Sequence, residues 1–139
     1  MKKQILTFAG VLSLLFAAGS AYAQVVHVKG NIPFEFKVVD KTLPAGQYSL
    51  ISSELNSHTV RVVNENGATV ALIAANDVAL PRAAEDTVLV FHRYGDRYFL
   101  AGLRTNGEDT TWEFPRGKAE REEAQRIEYQ DTLVASATR

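Results

Sequence analysis

Leu89-Val90-Phe91-His92-Arg93-Tyr94-Gly95-Asp96-Arg97-Tyr98-Phe99-Leu100 is the stretch that decides how this 139-residue chain folds. Two runs rich in apolar and aromatic residues flank Gly95-Asp96, as expected for two strands joined by a two-residue turn. That turn sets a register: Tyr94 opposite Arg97, Arg93 opposite Tyr98, and His92 opposite Phe99. Directly opposed residues share a face. Extended to a meander from about Thr87 to Phe114, the rule places Val88, Val90, His92, Phe99, Ala101, Leu103, Trp112 and Phe114 on one side. Leu89, Phe91, Arg93, Tyr98 and Leu100 fall on the other. Both sides are largely apolar, so the meander is expected to be central and covered on both faces.

Working outward, turn signals recur at short intervals. Asn66-Gly67 suits a two-residue hairpin turn pairing Val63 with Val70, Val62 with Ala71, Arg61 with Leu72 and Val60 with Ile73. Asn106-Gly107 predicts Arg104 opposite Asp109 and Ala101 opposite Trp112. Leu43-Pro44-Ala45-Gly46 reads as a turn before a strand over Gln47–Ser52. Upstream, Val25-Val26-His27-Val28 opens the strands. Ile32, Phe34, Phe36 and Val38 share one face of the next, with Pro33 placing its start at an edge or bulge. Asn76 to Asp86 reads as a loop. The fold class expected is all-β, a small antiparallel sandwich or partly closed barrel, spanning residues 24–114. Residues 115–130 read as a surface helix with a thin apolar stripe of Ala119, Ala124 and Ile127, and with Lys118–Glu122 and Glu122–Arg126 at i,i+4 spacing. Residues 131–139 read as a flexible tail.

The amino terminus sets the expected compartment. Lys2-Lys3 precede an apolar run from Ile5 to Ala18, and Ala21 and Ala23 place small residues at the two positions a signal peptidase reads. Residues 1–23 are therefore expected to be cleaved, leaving a secreted or periplasmic protein with no membrane span in its mature part. The run is short of the roughly 20 apolar residues a spanning helix needs. No cysteine is present, which removes disulfides, thiol catalysis and cysteine metal sites together. Removing Lys2 and Lys3 takes the formal charge from -1 to about -3, without the basic footprint that nucleic acid requires.

Little in the chain points to chemistry. His27, His58 and His92 are the only histidines, and no two sit at a ligand spacing, so no metal and no cofactor are expected. No Gly-x-Ser-x-Gly elbow accompanies His92, Asp96 and the serines 49, 52 and 53, so no catalytic residues are assigned. Glu35 and Asp109 suit ordinary structural roles, Asp109 as a partner of Arg104. Arg93, Tyr94, Asp96, Arg97 and Tyr98 form the densest cluster of groups used in recognition, although Arg93 over Tyr98 is also a plain cross-strand cation–π pair.

Asn31-Ile32-Pro33-Phe34-Glu35-Phe36, Leu43-Pro44-Ala45-Gly46-Gln47-Tyr48, the Leu89–Leu100 block and Ala119-Glu120-Arg121-Glu122 together resemble a family of short, uncharacterised bacterial secreted proteins. The resemblance covers nearly all of the mature chain. It implies an exported all-β protein with a carboxy-terminal helix. That family shows a serine where this chain has Gly117 before the helix. The Leu43–Tyr48 block also resembles the Pro-Gly-x-Tyr corner of transthyretin-like and collagen-adhesin B-type sandwiches, though these residues suit any turn leading into a strand. The function expected is a non-enzymatic binding or structural module of the bacterial cell envelope, partnered by another envelope protein or a surface glycan. The alternatives are a small secreted hydrolase or isomerase with a site near His92, and a lipocalin-like carrier, which would need a hollow barrel.

Overall fold

The computed structural model describes residues 27–52 and 58–136. The cleavage positions Ala21 and Ala23, the start of the first strand at Val25-Val26, and Ser53 lie outside the described residues. Among the described residues the chain is all-β with one short helix. Its strands are β1 (His27–Ile32), β2 (Phe36–Val38), β3 (Lys41–Leu43), β4 (Gly46–Ser52), β5 (Thr59–Asn64), β6 (Thr69–Ala74), β7 (Asn76–Ala79), β8 (Val88–Tyr94), β9 (Arg97–Arg104), β10 (Thr110–Glu113) and β11 (Gln130–Ala135). The helix α1 spans Lys118–Ala124. No helix among the described residues is long and apolar enough to cross a membrane.

Two sheets pack face to face. The first has the order β1-β4-β5-β6, and the second β11-β8-β9-β10-β7, with β2 pairing in parallel to β9 and carrying β3. Their facing side chains form one apolar cluster. Val28, Leu50, Val60, Val62 and Ile73 come from the first sheet, and Phe36, Leu89, Phe91, Leu100 and Leu103 from the second. Burying a side chain of this size contributes roughly 1.5–3 kcal/mol. The sandwich is sealed along one seam, where Gly30 bridges Ser136 and the Ser136 hydroxyl donates to the Lys29 carbonyl at 3.2 Å. It does not close into a barrel.

The run from Ile32 to Val38 is two strands rather than one. β1 ends at Ile32 in the first sheet and β2 begins at Phe36 in the second. Pro33, which has no N–H to donate, stands where the chain crosses between sheets. The turn after β2 holds Val39 at φ 56°, a left-handed angle that costs a β-branched residue roughly 1–2 kcal/mol. At the Pro44 corner, the Tyr48 hydroxyl donates to the Pro44 carbonyl at 2.7 Å.

Register is where the structure departs most from the sequence pattern. The Gly95-Asp96 hairpin has the expected pairs from His92↔Phe99 to Tyr94↔Arg97. Past Phe91↔Leu100 a bulge then pairs Val90 with Gly102 and leaves Ala101 extra. One extra residue exchanges faces for everything beyond it. Leu103 therefore joins Leu89 in the core, and Trp112, opposite Leu103, packs against that same cluster instead of beside His92. Phe114 moves to the core with them. The Asn106-Gly107 connection is longer than a two-residue turn: Arg104 pairs with Thr111, not Asp109. Its loop bonds elsewhere, with Gly107 N–H donating to Ala84 and Ala84 N–H to Glu108. At Asn66-Gly67 the three inner pairs are as expected, but Val63 pairs with Thr69 across a bulge.

Two segments read as irregular are strands. Asn76–Ala79 pairs with β10, and its exposure along all four residues erased any alternation. Gln130–Ala135, read as the last residue of the helix and the start of a flexible tail, pairs with β8 along its whole length. The helix is shorter than residues 115–130, and this surface helix turns a charged rather than an apolar face inward: Glu120 and Glu123 are buried.

Candidate functional site

The outer face of the second sheet, away from the other sheet, carries the chemistry. Alternation along β8 turns Leu89 and Phe91 into the core and leaves Val90, His92 and Tyr94 on that outer face. α1 lies across it. Gly117 provides no side-chain cap, and Asp40 from the β2–β3 turn stands in, its Oδ1 reaching the Ala119 N–H at 3.5 Å. The fit is close. A Cβ on Gly117 would stand 2.5 Å from the Val39 carbonyl oxygen.

Residues three apart on a helix share a face. Glu120 and Glu123 thus point together at the sheet, which presents cations. Glu120 Oε1 lies 2.9 Å from His92 Nδ1, and Glu123 Oε1 accepts from Arg97 at 2.8 Å and from Arg126 at 2.9 Å. Tyr129, on the chain returning from the helix, stacks on the His92 ring at 3.9 Å, and the Arg116 guanidinium lies 5.2 Å over Tyr129. In the tautomer that donates Nδ1–H to Glu120, Nε2 is left as the acceptor. Nε2 faces the Asp131 carboxylate at 3.9 Å, beyond hydrogen-bonding distance. The Tyr94 hydroxyl is buried beneath this group and makes no hydrogen bond. Burial, and then the nearby Glu120 charge, raise its pKa above that of an ordinary phenol. Arg116 opposes them, and Glu120 adds to the rise as a nearby acceptor as well as a charge, although the hydroxyl makes no bond of good geometry.

Beside His92 a polar cleft of about 370 Å³ opens, with Arg104, Glu113, Asn76, Arg116 and Asp131 among its walls. A second cleft of about 360 Å³ lies by the β5–β6 turn, lined by Lys29, Gln47, Ser49 and Glu65. Among the described residues no three His, Asp or Glu side chains are placed to hold a metal ion. His58 sits 3.6 Å from Asp77, and both are exposed.

The five residues of the expected recognition cluster are divided between two faces. Tyr94 and Arg97 belong to the helix side, where Tyr94 is buried and Arg97 is paired with Glu123. Arg93 and Tyr98 belong to the opposite side. The Arg93 guanidinium lies 5.8 Å over Tyr98, and Tyr98 stacks on Phe34 at 3.7 Å. Asp96 is exposed in the turn. The grouping that the fold does assemble around His92 comprises Glu120, Tyr129, Arg116 and Asp131. The i,i+3 carboxylates were visible in the sequence. That they face inward was not, because an inward helix face is ordinarily apolar.

Comparison with protein-family models, with curated proteins and with solved structures finds no match for this chain.

Proposed function

We propose that this protein is an exported, non-enzymatic binding module of the bacterial cell envelope, a member of the secreted family it resembles, and that the cleft beside His92 is its binding site. The amino-terminal pattern supports export. The observation that carries the binding reading is the state of His92. Its Nδ1 is held by buried Glu120, and its ring is covered by Tyr129. The one aliphatic hydroxyl in the cleft walls, that of Thr111, donates to the Leu103 carbonyl at 3.0 Å, and the other hydroxyl residue there, Tyr129, is the ring stacked on His92. The space between the sheets is occupied by side chains such as Phe36, Leu50 and Phe91, which speaks against a carrier with a hollow interior. The test is to express the chain in a bacterial host, fractionate the cells and sequence the amino terminus. The exported protein, beginning at Gln24, is then offered purified envelope polysaccharide and envelope protein. Retention in the cytoplasm with Met1 intact, or no binding to either material, would overturn the reading.

A second reading rests on the same pair. A carboxylate on Nδ1 orients an imidazole for general-base work at Nε2, here at the mouth of the cleft. Water-mediated hydrolysis of ester, phosphodiester or glycoside substrates by the wild type, abolished in His92→Gln, would favour it. Binding retained in His92→Gln without any turnover would favour the module.

A further inference from the structure

The cleft holds a cation that the fold does not satisfy. Arg104 lines it, its Nε is buried without a hydrogen-bond partner, and no ion pair engages its guanidinium among the described residues. Arg104 stands opposite Thr111 on β10, so Glu113, two residues on, is its diagonal neighbour on the same face. No ion pair joins them. Between Arg104 and the His92 row the floor is Gly102, which cannot carry a side chain because a Cβ there would lie 2.4 Å from the Trp112 carbonyl oxygen. Gly102 therefore puts no side chain on that floor.

We propose that this cleft takes an acidic saccharide. In this reading Arg104 grips the ring carboxylate through its two terminal nitrogens, while Glu113 and Asn76 accept hydrogen bonds from the sugar hydroxyls. The fork of a guanidinium matches a carboxylate bidentately, and no protein carboxylate takes that place on Arg104 among the described residues. The acids on the walls, Glu113 and Asp131, decide between anions. They repel a doubly charged phosphate more strongly than a singly charged carboxylate, and they suit a ligand ringed with hydroxyl donors. The volume of about 370 Å³ falls within the roughly 300–1,000 Å³ of small-ligand sites. The proposal rests on the binding reading above and adds the ligand class and the residue that selects it.

The experiment is calorimetric titration of the exported protein with oligogalacturonate, with its methyl ester and with inorganic phosphate. Arg104→Gln, Arg104→Lys and, outside the cleft, Arg97→Gln are titrated in parallel, after circular dichroism has confirmed their fold. Galacturonate is expected to bind, its methyl ester at least tenfold more weakly. Arg104→Gln should lose at least tenfold in affinity, Arg104→Lys should fall between, and Arg97→Gln should match the wild type. Equal affinity for acid and ester, or an unaffected Arg104→Gln, would overturn the role of Arg104 while leaving the binding module standing. Phosphate binding as tightly as galacturonate would overturn the saccharide and leave a general oxyanion site. If no probe binds but envelope polysaccharide or protein still does, the ligand class is wrong and the module survives. If nothing binds at all, both fall.

Discussion

His92 on β8 and Glu120 on α1 are separated by 28 residues in sequence and 2.9 Å in space, and their contact holds the helix against the sheet. Their side chains are 17% and 5% exposed, so neither group can be rehydrated freely when the other is removed. Glu120→Ala is expected to lower unfolding free energy by about 2–3 kcal/mol, because a buried partner is left unmet. Arg97→Ala should cost under about 1 kcal/mol, since Arg97 is mostly exposed and Glu123 keeps Arg126. Urea denaturation of both variants decides. Equal effects would mean that the helix is held by something other than the buried pair.

Two buried tyrosines should respond oppositely to losing their hydroxyl. Tyr48→Phe removes a 2.7 Å bond to Pro44 and should cost about 1 kcal/mol. Tyr94→Phe removes a buried hydroxyl with no partner and should be neutral or stabilising by up to about 1 kcal/mol. A loss in Tyr94→Phe as large as that in Tyr48→Phe would show that the Tyr94 hydroxyl is bonded after all.

The same two phenols set an alkaline limit. Both pKa values are raised, chiefly by burial, with Glu65 adding to the effect at Tyr48 and Glu120 at Tyr94. The fold therefore favours the protonated phenol. That contribution is intact below the unfolded value of about 10 and is lost as pH rises through the raised folded values. Denaturant midpoints should hold steady up to pH of about 10 and then fall, with a shallower fall in the double Phe variant. An unchanged slope in that variant would assign the alkaline loss to other groups.

Glycines differ in what they permit. Gly102→Ala sets a Cβ against the backbone oxygen of Trp112, which cannot swing away, and should cost more than about 3 kcal/mol or prevent folding. Gly30→Ala meets only the end of the Leu89 side chain, at 2.8 Å, and should cost about 1–2 kcal/mol. Gly117→Ser introduces a helix-capping serine, but it should destabilise here, because its Cβ would meet Val39 and Asp40 already acts at that helix start. Thermal melts rank the three. A higher melting temperature for Gly117→Ser would mean that capping outweighs the clash.

Truncation after Tyr129 removes β11 and leaves the β8 edge unpaired, along with the seam at Ser136. The shortened chain is expected to aggregate, as uncovered edge strands do. A soluble product with the melting temperature of the full chain would show that β11 is dispensable.

Much of the fold was legible along the chain. The alternation through Leu89–Leu100 and the turn at Gly95-Asp96 determine a hairpin and its register on their own, since period two and a positive-φ glycine at the turn are local properties. An all-β class and a meander covered on both faces follow from the same pattern. What tertiary structure decided begins at the bulge around Ala101. One unpaired residue there sends Leu103 and Trp112 into the core and leaves His92 to the helix, and its local mark, the glycine at Gly102 inside a strand, does not say which residue is left over. β7 and β11 form because β10 and β8 offer them edges, not because of their own alternation. The site is the extreme case. Its carboxylates, tyrosine and arginines come from α1, from the segments on either side of it and from β9, β10 and β11, and each reads alone as a solvated residue. Only the burial of two glutamates against the cations of a sheet face makes them a site, and burial belongs to the assembled fold.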